Sequence, residues 1–274
     1  MDKKFHPTMR AIQAGDVERL RALVREDPSL ATSRSTRSHP TLLQCLALDA
    51  NGNPHARAMA EVLIEAGAEL NEPLVAAGSI GNREVAELLL DRGAAIDGTG
   101  GWSPLEEALY WNNQNVVALL LARGAKVQNL RTAAALGRSD LIESYFNSDG
   151  SLKPEAGKID WPFGGNKSIS HLINAWSQDR QGIINNAFVY ACMHGHIDAA
   201  QLLLDKGAEI NTVPGGFDYA GTGLHYAALN GHRAMAEFLL QHGADKTIKD
   251  TKVGSTAAGW AEHGNHPELL DLLR

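Results

Sequence analysis

One pattern of apolar and polar positions recurs along the chain. Two or three large apolar residues are followed by two small or polar residues and then by Gly-Ala, in copies at residues 62–68, 88–94, 119–125, 202–208 and 238–244. The apolar run predicts the end of a packed helix. The glycine predicts the left-handed residue that closes this helix, because glycine has no Cβ to clash in that conformation.

A second glycine precedes most of these phrases. It is followed by polar, acidic or small residues, in copies that begin at Gly15, Gly81, Gly137, Gly195 and Gly231. This marker predicts a tight turn between two antiparallel helices. The segment before the turn is rich in small residues, as in residues 224–228, which would let neighbouring helix pairs approach closely. The pattern therefore predicts a chain of similar helix pairs.

These helix pairs resemble the ankyrin repeat, which has a period of about 33 residues and opens with Thr-Pro-Leu-His-x-Ala. The sequence TGLHYAALNGH at residues 222–232 matches this opening most fully, and Ser103-Pro104-Leu105 is a partial match. The resemblance covers residues 5–146 and 183–274. It implies an all-α helical solenoid that binds a protein partner through its concave face and finger loops.

The resemblance predicts a single domain over residues 1–274, with about eight units and one insertion. The first unit is interpreted as a terminal cap, because its charged residues supply a polar outer face. The predicted units lie near residues 8–36, 40–71, 72–97, 103–129, 130–147, 184–212, 222–248 and 255–274, and the insertion lies near residues 148–182.

The insertion near residues 148–182 contains aromatic residues that a plain linker would not need, namely Trp161, Phe163 and Trp176. Its first part is rich in glycine, proline and polar residues and predicts a loop, whereas residues 169–176 have the apolar spacing of a short helix. Aromatic side chains bury large areas. Two interpretations stay open: the insertion covers the solenoid, or it closes over a binding groove.

Two connections are longer than a regular repeat needs. Residues 211–221 carry Phe217, Asp218 and Tyr219, and residues 245–254 carry several lysines. The resemblance implies that both are fingers on the concave side. Unusually long loops are often functional, although loops also accept insertions at little cost.

The resemblance also implies that one column of the repeat faces the concave groove. This column holds Ala76, Glu107, Thr132, Tyr190, Tyr226 and Trp260. Clustered aromatic side chains mark interaction sites and also suit small-molecule pockets, but the insertion could instead bury them as a second small core. The candidate binding residues are Trp102, Glu107, Tyr110, Trp111, Trp161, Trp176, Tyr190, Phe217, Tyr219, Tyr226, Trp260 and His263.

The sequence contains none of the common catalytic or metal-binding motifs. HExxH, paired CxxC, GxSxG, phosphate-binding and dinucleotide-binding signatures are absent, so neither a metal nor a cofactor is expected. Cys45 and Cys192 each lie in an apolar stretch, as inert core thiols do. Glu107 and Asp218 are weak candidates for an acid or base, since apolar neighbours would raise the pKa of a carboxyl group.

Composition narrows the class of partner. The chain has 274 residues, 44% of them hydrophobic and 21% charged, with a net charge of −7. These values exclude general disorder, and the acidic excess disfavours nucleic acid and anionic membranes. No apolar run reaches the ~20 residues that span a bilayer. The N-terminus lacks the apolar core of a secretory signal, so a cytoplasmic location is expected.

Two functions are consistent with these observations. The first is a scaffold that binds a protein partner. The alternative is an atypical ankyrin-fold enzyme, or a binder of a small apolar molecule. In that case the pocket would lie between the insertion and the C-terminal repeats, and Glu107 or Asp218 would act as acid or base.

Overall fold

The computed structural model describes residues 2–36, 40–99, 103–158, 177–217 and 220–274. Helices are the regular secondary structure of these residues, and no β-strand occurs among them. An isolated β-bridge joins Phe146 and Leu152. The predicted all-α class is therefore confirmed. The short helix predicted at residues 169–176 lies outside the described residues.

The chain divides into two compact units, the first being Met1–Lys126 and the second Val127–Ile159 with Phe163–Arg274. The helices of the first unit are α1 (His6–Ala14), α2 (Val17–Glu26), α3 (Ser29–Thr32), α4 (Leu42–Asp49), α5 (Ala56–Glu65), α6 (Asn71–Ile80), α7 (Arg83–Asp91), α8 (Pro104–Tyr110) and α9 (Gln114–Ala122). The helices of the second unit are α10 (Leu130–Ala135), α11 (Ser139–Ser144), α12 (Arg180–Met193), α13 (Ile197–Asp205), α14 (Gly223–Leu229), α15 (Arg233–Gln241), α16 (Ala257–His263) and α17 (Leu270–Leu273). Single 3-10 turns form Lys3–Phe5, Pro154–Gly157 and Pro267–Leu269.

Each unit is built from helix pairs stacked side by side. In the first unit α4 packs between α1 and α6, and α8 packs on the other side of α6. The second helices of these pairs form their own layer, in which α5 lies between α2 and α7. In the second unit α12 packs between α10 and α14, and α14 packs on α16. The number of units and the bounds of the insertion stay predictions.

Each apolar phrase places at least one leucine in the core. Leu63, Leu88 and Leu203 are fully buried, and burying such a side chain contributes about 1.5–3 kcal/mol. The closing glycines of all five phrases have positive φ angles. At the turn glycine Gly81, φ is +73° and a Cβ would lie 2.8 Å from Asn113 Oδ1, so only glycine fits this turn without strain.

Hydrogen bonds between neighbouring pairs fix their register. In the first unit Asn82 Nδ2 donates to the Ala47 carbonyl at 3.0 Å, and Asn113 Nδ2 donates to the Gly78 carbonyl at 2.8 Å. In the second unit histidine takes the role of asparagine, and His232 Nε2 donates to the Met193 carbonyl at 3.0 Å. These bonds align the ends of the first helices from one pair to the next.

Candidate functional site

Four aromatic side chains form one cluster in the second unit. Tyr190 lies on α12, Tyr226 on α14 and Trp260 on α16, while Phe217 comes from the loop before α14. The Phe217 ring centroid lies 5.3 Å from that of Tyr190 and 5.1 Å from that of Tyr226. Tyr226 and Trp260 meet edge to face at 5.0 Å. All four side chains are buried, so Phe217 covers the predicted column here.

Trp260 is held in this cluster by Asp250, a residue of the second long connection. The indole Nε1–H donates to Asp250 Oδ2 at 3.0 Å. The same carboxylate accepts three backbone N–H groups, from Lys252, Val253 and Ser255, at 2.7 to 2.9 Å. Burial works to raise the pKa of Asp250, but these hydrogen bonds together outweigh it and hold that pKa at about 2.

His225 supports the other side of the Trp260 ring. The two ring centroids lie 5.2 Å apart, edge to face. His225 Nδ1 accepts from the Thr222 backbone N–H at 3.1 Å, and Nε2 donates to the Ser255 carbonyl at 3.2 Å. Burial lowers the pKa of His225, against the opposing effects of the Ser255 carbonyl and the Asp250 charge. The ring is therefore the neutral Nε2–H tautomer with both nitrogens bonded.

The patterns along the sequence do not predict the roles of Asp250 and His225. Asp250 lies in the long connection at residues 245–254, and His225 lies in the repeat opening. An aspartate a few residues before a glycine, here Gly254, is typical of a turn in which the side chain accepts backbone N–H groups, and this is a local signal for Asp250. The contact with Trp260 had no local signal.

The first unit presents a different arrangement at the end of α8. Trp111 is 46% exposed. Its indole Nε1–H donates to Glu107 Oε1 at 2.9 Å, a pairing across one helical turn. The Tyr110 ring meets the Trp111 ring edge to face at 5.1 Å. An exposed tryptophan is thus fixed in orientation by two neighbours.

Ile80 extends this exposed region to the neighbouring helix pair. The side chain of Ile80, at the end of α6, is 43% exposed. The register bonds to the Ala47 and Gly78 carbonyls make Ile80 the positional equivalent of Trp111. We define the Trp111 surface as Ile80, Glu107, Tyr110 and Trp111.

The remaining predicted residues are placed as follows. His263 is exposed in the last turn of α16. Glu107, Tyr110 and Trp111 belong to the first unit, whereas Tyr190, Phe217, Tyr226 and Trp260 belong to the second. Trp102, Trp161, Trp176, Asp218 and Tyr219 lie outside the described residues. The binding role of every one of these residues stays a prediction.

A small cavity of about 200 Å³ lies in the second unit. Its walls are mostly polar and come from the start of α12 and from the loop before α14: Ser177, Gly182, Asn185, Asn186 and residues 212–215. Ligand pockets for drug-sized molecules are larger, at about 300–1,000 Å³. The cavity has room for a small polar molecule.

In the part of the chain that the structure describes, no group of three histidine, cysteine or acidic side chains could hold a metal ion. Burial raises the pKa of the Cys192 thiol far above its usual range, as in an inert core thiol. Among the described helices, none has the length and apolar character needed to cross a membrane.

Comparison with known families agrees with this architecture. A family model described as ankyrin repeats (3 copies) matches residues 45–131 and 163–250, which together make up more than half of the chain. No curated protein matches the chain. Stacked helix pairs with closing glycines, together with this match, show that the chain belongs to the ankyrin repeat family.

Proposed function

We propose that this protein is a scaffold that binds a protein partner through the Trp111 surface. Ankyrin repeats are generally protein-interaction modules, which makes binding the expected class of function. One observation favours this surface over the aromatic cluster of the second unit. Trp111 is 46% exposed, whereas Tyr190, Tyr226 and Trp260 are buried.

The chemistry of the Trp111 surface suits an interface. Tryptophan and tyrosine are enriched among the residues that carry most binding energy. The hydrogen bond from Trp111 to Glu107 fixes the indole before binding, so little side-chain entropy is lost when a partner covers it. Ile80 adds exposed aliphatic area at the equivalent position of the neighbouring helix pair.

The test is affinity capture from the native cell extract, with quantitative comparison of variants. Trp111→Ala removes the exposed ring, and Leu121→Ala is the matched control. Leu121 is 38% exposed in the same unit but lies on α9, in the other helix layer. A captured protein that is retained by Leu121→Ala and lost with Trp111→Ala supports the proposal.

The expected loss is large enough to measure. Truncating a central aromatic residue costs about 2 kcal/mol or more, which is roughly a thirtyfold loss of affinity. Adding the purified partner should shift the tryptophan fluorescence emission of the wild-type protein, and this shift should be smaller for the Trp111→Ala variant. If both variants capture the same proteins equally well, the Trp111 surface is not the binding site.

The cavity of the second unit favours a second candidate function, the binding of a small molecule. It lies beside Ser177 and Gly182, near the end of the predicted insertion, and its mostly polar walls favour a polar ligand over an apolar one. Asn186 is buried at this cavity and Nδ2 lies 3.5 Å from the Gly215 carbonyl. A polar metabolite that raises the melting temperature of wild-type protein but not of Asn186→Leu would support this function.

A further inference from the structure

The charge of the first helices points to the class of partner that the Trp111 surface takes. Helices α4, α6 and α8 contain no lysine, arginine or histidine, and they carry four carboxylates, Asp49, Glu72, Glu106 and Glu107. Helix α1, which packs on α4, carries His6 and Arg10, so the acidic stretch consists of α4, α6 and α8 only. A surface of one sign attracts a partner of the opposite sign.

Two of these carboxylates are engaged inside the unit. Glu106 is buried and bonds the Ser103 backbone N–H at the start of α8. Glu72 forms an ion pair with Arg34 at 2.9 Å and accepts from Gln44 at the same distance. Asp49 is exposed at the end of α4, and Glu107, which accepts the Trp111 indole N–H, is half-buried on α8. Among the described residues, no ion pair engages Asp49.

Asp49, Ile80 and Trp111 occupy equivalent positions in three consecutive pairs. Asn82 bonds the carbonyl of Ala47, two residues before Asp49, and Asn113 bonds the carbonyl of Gly78, two residues before Ile80. Asn51 Nδ2 donates to the Ile80 carbonyl at 2.8 Å, which ties the first two of these positions together. An acid, an aliphatic and an aromatic side chain therefore follow one another across α4, α6 and α8.

The spacing of this row matches an extended peptide. Packed helices lie roughly 8–10 Å apart. A polyproline II segment has three residues per turn and rises about 3.1 Å per residue, so residues i, i+3 and i+6 project to one side roughly 9 Å apart. Because the two spacings are similar, peptide residues i, i+3 and i+6 can each contact one of the helices α4, α6 and α8.

Trp111 and Glu107 together suit arginine better than lysine. A guanidinium group stacks on an indole face and pairs with a carboxylate, and the indole N–H bond to Glu107 places both groups side by side. Resting on the proposed function, we propose that the partner segment is basic and extended. It carries a cationic residue at position i, an aliphatic residue at position i+3 and a second cationic residue at position i+6. One cation, an arginine, lies over Trp111 beside Glu107, the aliphatic residue packs on Ile80, and the other cation pairs with Asp49.

The probe is the fluorescein-labelled peptide GRSPLSPRG, titrated with full-length protein and followed by fluorescence anisotropy. Two peptides each replace one arginine by glutamine, and a control peptide, GESPLSPEG, reverses both charges. Glu107→Gln keeps the oxygen that accepts the Trp111 indole N–H but removes the charge. Glu84→Gln, on the exposed first turn of α7, is the matched charge control.

We expect GRSPLSPRG to bind and GESPLSPEG not to bind, with affinity falling as salt is added. Trp111→Ala should weaken binding about tenfold, Glu107→Gln about fivefold and Asp49→Asn about threefold, while Glu84→Gln has no effect. Asp49→Asn should not weaken the binding of the peptide that lacks the arginine paired with Asp49. In the same way, Glu107→Gln should not weaken the binding of the peptide that lacks the arginine paired with Glu107. Circular dichroism and melting temperatures verify that each variant is folded.

Three outcomes overturn the inference. Equal binding of the basic and acidic peptides, or equal binding to wild-type protein and Trp111→Ala, excludes this site for a basic segment. A third is self-association that Trp111→Ala abolishes, without peptide binding, because the occupant is then a second copy of the chain. If GRSPLSPRG does not bind, but the affinity capture still yields a protein that Trp111→Ala fails to retain, the scaffold function is supported. In that case only the proposal of a basic partner segment is wrong.

Discussion

Replacing Asp250 by asparagine tests whether one carboxylate holds the aromatic cluster together. Asp250 is 4% exposed, and its two carboxylate oxygens accept different hydrogen bonds. Oδ1 accepts from the Lys252 and Val253 N–H groups, and Oδ2 accepts from the Ser255 N–H and the Trp260 indole. Asparagine retains an oxygen for one pair but turns an NH₂ donor towards the other, which leaves two N–H donors without their acceptor.

Two calculations on the same hydrogen bonds give the size of the effect. A buried donor without a partner costs about 1–3 kcal/mol, and because the backbone donors here are only part-buried, the loss for two lies near the lower end, at about 2 kcal/mol. The pKa of Asp250, held at about 2, compares with about 3.9 for an unfolded aspartate, and that difference corresponds to about 2–3 kcal/mol of stability at neutral pH. Both calculations agree near 2–3 kcal/mol, which is a large part of the stability of a typical domain.

Urea unfolding followed by circular dichroism and tryptophan fluorescence measures this change. Because the folded pKa of Asp250 is depressed, its contribution is fully present above about pH 4–5 and is lost as the pH falls towards 2. The difference between wild-type protein and Asp250→Asn should therefore shrink over that range. Asp198→Asn makes the same chemical change at an exposed site on α13 and serves as the control.

The reasoning is refuted if Asp250→Asn unfolds at the same urea concentration as wild-type protein at neutral pH. It is also refuted if the difference between the two proteins does not depend on pH. A large loss of stability in Asp198→Asn would show that removing any carboxylate from this unit lowers the free energy of unfolding. The effect would then not be particular to the buried carboxylate of Asp250.

Three further predictions concern the second unit. His225→Ala should lower the free energy of unfolding by about 2–4 kcal/mol, measured in urea, because it removes the bonds to Thr222 and Ser255 and leaves a cavity beside Trp260. Burial lowers the pKa of His232 and of His196, so their protonation in the unfolded chain should destabilise the fold as the pH falls below about 6.5. His232→Asn, which copies the bonding residue of the first unit, should reduce this pH dependence in melting experiments; an unchanged pH profile would contradict the assignment. A thiol reagent should label Cys192 only after unfolding, and rapid labelling of Cys192 in the native protein, found by peptide mapping, would contradict its burial.

The sequence by itself determined the helix pairs and their turns, because these depend on neighbours along the chain. The phrase that ends at Gly93, for example, contains both the leucines that pack and the glycine that closes the helix at positive φ. The resemblance to the ankyrin repeat placed Glu107, Tyr226 and Trp260 in one column, and so predicted which residues take equivalent positions in successive pairs.

Only the tertiary structure decided which aromatic residues in or next to that column reach solvent. Tyr226 and Trp260 are buried because Phe217 folds over the column from a loop and because Asp250 reaches the indole from another loop. Trp111 stays 46% exposed beside Glu107. Periodicity is a property of a short segment, whereas burial depends on what segments distant in sequence bring to it. For this reason the exposed tryptophan and the buried one could not be told apart before the fold was known.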